Sequence, residues 1–370
     1  MTNRQAKNDL LYLVYGESEV YYKQAYFSIL TALNYLNVSC SVRICVLTEK
    51  PEFFKKLPVF VEKLTGNQKA EWMGGGTYIH RIKTLSQIYW MKKYKSNTAF
   101  VDTDTWFNKS PEHIFSSVDN DSSVMYEYES DVKASLPSLC HKVKDHEFSL
   151  GDGRKLNFQE GQLWNSGVIG LSFDNRYLLD DALSLIDKLY LLTNEYVTEQ
   201  LVVGEVIRQN TKIQGCRNVL YHYYGADLLF INDKISVFLK ENVDKDIAEQ
   251  ASLTATFPYG RCGKNKFQVL LIKLISKILG IDKETMRAIQ GIKIFLLDSK
   301  NSYFKADQHN WLIRSYNILN DDSNKPKLST KSYSFILFNV EKLIKSEKLS
   351  VEEKKAWIPI VRKLSSLSVR

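Results

Sequence analysis

An apolar run, "LLYLVYG" at 10–16, begins the patterned part of the chain and stops at a glycine. Behind it, "SEVYYKQAYFSILTALNYL" at 18–36 sets Tyr22, Ala25, Ile29, Ala32, Leu33 and Leu36 at three- and four-residue steps, with Ser18 in place to cap. That period predicts a helix with one apolar face. A β-branched run, "SVRICVLTE" at 41–49, follows. Strand, helix and strand make the βαβ unit of a parallel sheet, with a right-handed crossover.

Three glycines, 74–76, read as a mobile loop before a helix from about Ile79 to Lys93. "TAFVDTDTWF" reads as the next strand, and "SSVMYEYES" at 122–130 as another, before a turn at "LGDGRKL". "GQLWNSGVIGLSF" at 161–173 has a polar start and an apolar finish, which places Asn165, Ser166 and Gly167 where a strand begins. Helices are expected over about 175–192 and over 198–210, the second capped by Thr198 with Glu199 and Gln200 in its first turn. "VLYHYYGAD" at 219–227 closes this region. Beyond Cys262 a Lys-rich amphipathic helix, 264–280, leads into further helical segments. The expected fold is α/β, a mostly parallel central sheet flanked by helices, with a mainly helical C-terminal region. The expected domains are 1–260 and 261–370.

Composition narrows this picture. The 370 residues are 44% hydrophobic and 12% aromatic, enough for a substantial core. No stretch approaches the ~20 apolar residues of a bilayer span. "MTNRQAKND" lacks the apolar run of a secretion signal. Five cysteines, an odd number with no C-x-x-C pair, fit reduced thiols in the cytosol and argue against a structural zinc. Of the 50 Lys and Arg, 22 lie in residues 261–370 against 10 acids, a net of +12; the first 260 residues carry 28 against 32, a net of −4. A mildly acidic body with a basic tail suggests chemistry in the first part and attachment to something anionic in the second.

Three Asp-X-Asp triplets occur: Asp102/Asp104, Asp119/Asp121 and Asp244/Asp246. The last two sit in polar surroundings and read as solvated charge. The first follows the strand-like "AFV" and precedes aromatics, and in an α/β sheet ligands gather at the carboxyl ends of strands. It should point into a cleft.

Asp102 and Asp104, "NSGV" at 165–168, "EQ" at 199–200 and "HYYG" at 222–225 occur in that order. The order resembles the GT-A-fold nucleotide-sugar glycosyltransferases, most closely their family 8 (retaining) group, over about residues 10–227. The resemblance implies a UDP-sugar donor and a divalent cation held by Asp102, Asp104 and His222, with Asp102 also near the ribose. Oxygen ligands with one imidazole suit Mn²⁺ or Mg²⁺. It further implies donor-sugar contacts from Asn165, Ser166 and Gly167, sugar hydroxyls on Glu199, and Gln200 facing the anomeric carbon. Tyr15 and Gly16 fall on the uracil side, Gly225 in the His-X-X-Gly element, and Arg81 and Lys83 where the family often faces the diphosphate with basic residues. Each of these residues also has a plain structural reading: His222 as a core histidine, 165–167 as a strand-entry turn, Glu199 as favourable charge at a helix N-terminus, Arg81 and Lys83 as helix surface. Two departures stand out. Glu199 replaces the family's Asp, and the Lys-Pro-Trp that grips the diphosphate is replaced by "GADLLFIND", so Lys234, Arg81 or Lys83 would have to substitute.

Other classes fit less of the chain. "AFVDTDTW" also matches a haloacid-dehalogenase-like phosphatase, with Asp102 as nucleophile, Asp104 as acid and "LGDG" at 150–153 as the downstream acidic loop. There the nucleophile strand usually comes first, and "NSGV", "EQ" and "HYYG" would go unexplained. A sugar-1-phosphate nucleotidyltransferase would want a cationic Gly-rich loop after the first strand, where "YGESEVYY" has an acid and no cation. In the basic tail the lysines interleave with leucine and isoleucine, which argues against nucleic acid. Two readings stay open for it: a helix lying on an anionic membrane surface, or a helix packed on the protein with its lysines in water. The expectation is a hexosyltransferase acting on a glycan or lipid-linked acceptor in surface polysaccharide or glycoconjugate assembly, cytoplasmic or peripheral on the inner face of a membrane.

Overall fold

A computed structural model describes residues 8–36, 41–76, 78–261, 266–321 and 328–368. The chain forms two compact units: the first takes 1–224 and 242–256, the second 225–241 and 257–370. Against the expected single cut at 260, Gly225–Glu241 groups with the second unit.

The first unit is built on strands β1 (Asn8–Val14), β2 (Val42–Thr48), β3 (Phe60–Lys63), β4 (Asn97–Val101), β5 (Thr105–Phe107), β6 (Ser122–Asp131), β7 (Phe148–Ser149), β8 (Lys155–Leu156), β9 (Gln162–Leu171), β10 (Lys212–Gly215) and β11 (Leu220–His222). Seven form one sheet in the order β10-β6-β9-β4-β1-β2-β3; β5 pairs with β11, and β7 with β8. Only β9 runs against its neighbours, antiparallel to β4 and β6, so the sheet is mostly parallel. Leu10–Val14 are all buried, the continuous apolar run that a strand covered on both faces requires.

From β1 the sheet grows to β2 on one side and β4 on the other, so a crevice opens between the carboxyl ends of β1 and β4, where ligands of open α/β sheets bind. The opposite end of β1 is fastened by Asp9. Its buried carboxylate accepts from Arg43 Nε (2.9 Å) and Nη2 (2.7 Å), Trp90 Nε1 (2.9 Å) and Ser96 Oγ (2.7 Å).

Three local expectations are corrected. "TAFVDTDTWF" is two strands, because the chain bends over Asp102–Asp104 between β4 and β5. Asn165–Gly167 lie inside β9, not at its beginning. Thr198 does not cap its helix: Val197 holds that place, and the Thr198 hydroxyl donates to the Glu195 carbonyl instead. Gly74–Gly76 form a short 3₁₀ turn with φ of 58°, 64° and 92°, a backbone shape that glycine adopts without strain. The other Asp-X-Asp triplets have structural work. Asp119 accepts from the Asp121 and Ser122 amides, and Asp246 caps the helix Ile247–Leu253 through the Glu249 amide. Among the described residues Cys45, Cys140 and Cys216 form no disulfide; Cys40 and Cys262 lie outside them.

The second unit is helical: Leu228–Glu241, Lys266–Leu279, Lys283–Phe295, Ser302–Asn320, Thr330–Ile344 and Val351–Ser368. Ile289, Ile292, Leu312, Val340, Leu343 and Trp357 lie in its core. Among the described residues no helix is long and apolar enough to cross a membrane.

Candidate metal and donor site

Three elements bring Asp102, Asp104 and His222 together. The Asp102 amide donates to the Gly167 carbonyl (2.9 Å), so β9 guides the chain as it leaves β4. The bend is then pinned from helix α1 (Glu19–Leu33). Thr103 Oγ1 donates to Gln24 Oε1 (3.0 Å), and Thr105 Oγ1 bonds both the Asp102 carbonyl (2.9 Å) and Ser28 Oγ (2.8 Å). Ser28 Oγ in turn meets the Tyr12 hydroxyl of β1 at 2.9 Å. Pairing of β11 with β5 sets His222 opposite Thr105, and the Tyr223 amide donates to the Asp104 carbonyl. His222 Nε2 then stands 3.2 Å from Asp104 Oδ1 and 3.8 Å from Asp102 Oδ2. One ligand atom from each of the three lies within 4.8 Å of the others.

The carboxylates are partly open to solvent while His222 is buried. Burial pulls the imidazole toward its neutral form, but the hydrogen bond and charge of Asp104, and the charge of Asp102, outweigh it and hold its pKa above the ordinary value. Two carboxylates and an imidazole, converging with an open side, fit a divalent cation that shares its coordination with a substrate oxygen.

The backing of His222 comes from β9. Asn165 Oδ1 accepts the Gly167 amide (2.9 Å) and meets His222 Nδ1 at 3.1 Å, while Asn165 Nδ2 donates to Glu129 Oε1 (2.8 Å). The same Glu129 accepts from Gln200 Nε2 through its other oxygen (2.8 Å). Tyr126 stands edge-on to the His222 ring at 5.5 Å, and its hydroxyl accepts from the His222 amide.

Lys83 enters from helix α3 (Arg81–Tyr94; α2 is Gly66–Trp72). Its ammonium lies 3.0 and 3.1 Å from the two Asp102 oxygens and donates to the Ser166 carbonyl and to Ser166 Oγ (3.3 Å). Burial would discharge it, but Asp102 and Glu199 outweigh burial and raise its pKa. Glu199 accepts from Ser166 Oγ (3.0 Å) through Oε2, and its amide donates to the Tyr78 hydroxyl (2.9 Å). Its other oxygen, Oε1, is buried without a hydrogen-bond partner among the described residues. Burial pushes the Glu199 carboxyl up, against the lowering charge of Lys83. A buried orphan carboxylate oxygen in a crevice is a place for a ligand hydroxyl.

The remaining candidates divide. Tyr15 is half-buried near Asp102, its phenol pushed up to about 12 by burial. Gly16 has a φ of 89°, donates its amide to Glu49 Oε2 (2.7 Å) and offers its carbonyl to Tyr22. Arg81 does not face the three ligands. Its guanidinium makes two bonds of 3.0 Å to Asp187 and caps the carbonyls of Glu71 and Trp72, so it is a structural tie. Lys234 is likewise committed, fully buried in the second unit against the carbonyls of Pro258 and Gly260 and beside Asp307. Of Arg81, Lys83 and Lys234, Lys83 alone is bonded to the cluster. Gly225, with a φ of 67°, opens a 3₁₀ turn in the second unit. Asp152, which a phosphatase would bring to Asp102, is taken up by Arg154 at the surface. Glu129, Tyr78, Gln24 and Ser28 were not foreseen, since none stands in a motif.

No family model and no curated protein matches the chain. Among solved structures, apo mouse xyloside xylosyltransferase 1 is similar over 56% of this chain and 85% of its own, at 10% identity and a TM-score of 0.39. The apo WbbM bifunctional glycosyltransferase is similar over 58% of this chain and 40% of its own, at 9% identity and a TM-score of 0.36, so this chain spans less than half of that one. Likenesses this low carry no weight for function, which is read from the site.

Proposed function

We propose that this chain is a metal-dependent glycosyltransferase of GT-A type, similar to family 8. It moves a hexose from a UDP-sugar to a hydroxyl of a glycan or lipid-linked acceptor, with retention, in surface polysaccharide or glycoconjugate assembly. The observation that carries the reading is the convergence of Asp102, Asp104 and His222 at the crevice between β1 and β4.

Bound there, Mn²⁺ or Mg²⁺ would neutralise the negative charge that builds on the departing diphosphate. Lys83 adds a fixed positive charge on the same side, in place of the absent Lys-Pro-Trp. Tyr15 and Gly16, where β1 ends, take the uracil side. The orphan Oε1 of Glu199 accepts a donor-sugar hydroxyl. Gln200, its amide nitrogen held by Glu129, has its carbonyl oxygen available to a positive anomeric carbon. Gln200 is a poor nucleophile, so a front-side displacement through an oxocarbenium-like state is favoured. The anomeric carbon–phosphate oxygen bond breaks, the acceptor oxygen bonds on the same face, and its proton goes to the leaving phosphate. Closure of the Gly74–Gly76 segment over the donor would keep water out.

The protein would work in the cytoplasm, held to the inner face of a membrane by the basic helices of the second unit. The test is calorimetric titration of UDP with and without Mn²⁺ into the wild type, Asp104→Ala and His222→Ala. Metal-dependent binding lost in both variants is expected. Absence of UDP binding in the wild type under both conditions overturns the reading, and a product of inverted configuration overturns the retaining mechanism.

A further inference from the structure

We propose that Asn165, which the resemblance assigns to the donor sugar, is the positioning residue that sets the tautomer of His222. The inference rests on the metal reading above and assigns a different job to the first residue of the "NSGV" motif.

An amide side chain can flip, but this one is fixed at both ends. At its oxygen, the Gly167 amide can only donate; at its nitrogen, the Glu129 carboxylate can only accept. The flipped form would oppose N–H to N–H and oxygen to oxygen, in a side chain that is 95% buried. The atom that meets His222 Nδ1 is therefore Oδ1, an acceptor, and Nδ1 must carry the hydrogen. In the neutral ring the lone pair is then on Nε2, the nitrogen that faces Asp104 and Asp102. The opposite tautomer would aim an N–H at the two carboxylates and leave no lone pair for a cation. Orienting partners of this kind hold a ligating imidazole ready before the metal arrives. Little of Asn165 is left for a sugar: Oδ1 already serves two donors and one amide proton is taken.

The test reads the metal-free protein first. At a pH where the imidazole is neutral, ¹⁵N shifts of His222 should report hydrogen on Nδ1 in the wild type. They should report a mixture in Asn165→Leu. Asn165→Ser, too short to reach the ring, is a second deletion should the leucine variant not fold. Titration with Mn²⁺ alone should show roughly ten- to a hundredfold weaker binding in either deletion. Hydrogen on Nε2 in the wild type, or an unchanged Nδ1–H form in the deletions, overturns the inference. So does unchanged Mn²⁺ affinity with only UDP-sugar binding weakened, which is the signature of a donor contact. A wild type that binds no Mn²⁺ overturns the metal reading instead, and the ¹⁵N shifts still decide what Asn165 does.

Discussion

Gly167 lies against the imidazole of His222 with no room for a side chain: a Cβ there would stand 2.3 Å from Nδ1 and 2.6 Å from Cε1. His222 is seated on bare backbone, and a ring seated so cannot move aside without leaving Asn165 or Asp104. Gly167→Ala is expected to weaken Mn²⁺ binding at least tenfold, an order of magnitude typical of disturbed ligand support. Crowding a packed site should cost about 1–3 kcal/mol of stability. Calorimetry with Mn²⁺ and thermal unfolding of the variant check both, and an unchanged affinity would show that the ring has another seat.

A divalent cation at Asp102 would compete with Lys83 for its carboxylate. The ammonium already spans both Asp102 oxygens and is largely buried, so it offsets the charge of Asp102 and Glu199 when no metal is present. Lys83→Met removes that offset from a buried Glu199 and a partly buried Asp102, a change that should cost about 1–3 kcal/mol. The variant should melt below the wild type without metal and recover more than the wild type when Mn²⁺ is added, because a ligand bound only by the folded state stabilises it. UDP binding in the presence of Mn²⁺ should nevertheless weaken, since the diphosphate loses a cation. Equal Mn²⁺-induced shifts in Tm for the two proteins would show that metal and ammonium do not share Asp102.

Much of this site was legible in the sequence, and the reasons it was not wholly so are physical. Asp102 and Asp104 were readable because an apolar run ending in paired acids is a local pattern; by that measure His222 is a core histidine, and only the order of the motifs joined it to the acids. The run of "TAFVDTDTWF" looked like one strand because propensity does not register a bend made by Gln24 and Ser28, which are 70 to 80 residues away in sequence. Polar residues suggest the end of a strand, which is why Asn165–Gly167 read as an entrance. Inside β9 they are instead satisfied by Glu129, Lys83 and Glu199, partners that only the fold supplies. Arg81 and Lys83 are two positions apart and chemically alike. Which one faces Asp102 is decided by the helix face each occupies, and Asp187 claims the other.

Stability on the acid side should depend on Asp9. Burial pushes its carboxyl up, but hydrogen bonds from Arg43, Ser96 and Trp90 outweigh burial and hold it below the ordinary carboxylate range. A depressed folded pKa means the contribution is complete above the unfolded value, about 4, and is lost as pH falls through the folded one. Asp9→Asn should therefore be less stable than the wild type at pH 7 by about 1.5–3 kcal/mol, the scale of a hydrogen bond to a charged group. The gap should narrow as pH drops below 4. Urea unfolding of both proteins at pH 7 and near pH 3 measures it, and a gap that stays constant would place the effect elsewhere than in this carboxylate.

The second unit supplies the test of membrane attachment. On the helix Lys266–Leu279, Ile275 and Leu279 pack toward the unit's core, while Leu270, Leu271, Leu274 and Ile278 are exposed, Leu270 by 66% and Ile278 by 73%. At about 100° per residue these four fall within one arc of roughly 100°. Lys277 is exposed on the same helix, and residues 261–370 carry a net +12. An apolar arc with basic surroundings suits the interface of an anionic bilayer, where buried apolar area and charge act together. The protein should sediment with phosphatidylglycerol vesicles and much less with phosphatidylcholine vesicles. Salt should weaken the binding, because each lysine near the surface contributes only about 1 kcal/mol and is screened. Leu274→Glu with Ile278→Glu should reduce sedimentation at least tenfold while leaving Mn²⁺-dependent UDP binding unchanged, since neither residue belongs to the first unit. Sedimentation that survives the double substitution would move the attachment to another surface, and no sedimentation of the wild type would leave these lysines as solvated charge on a packed helix.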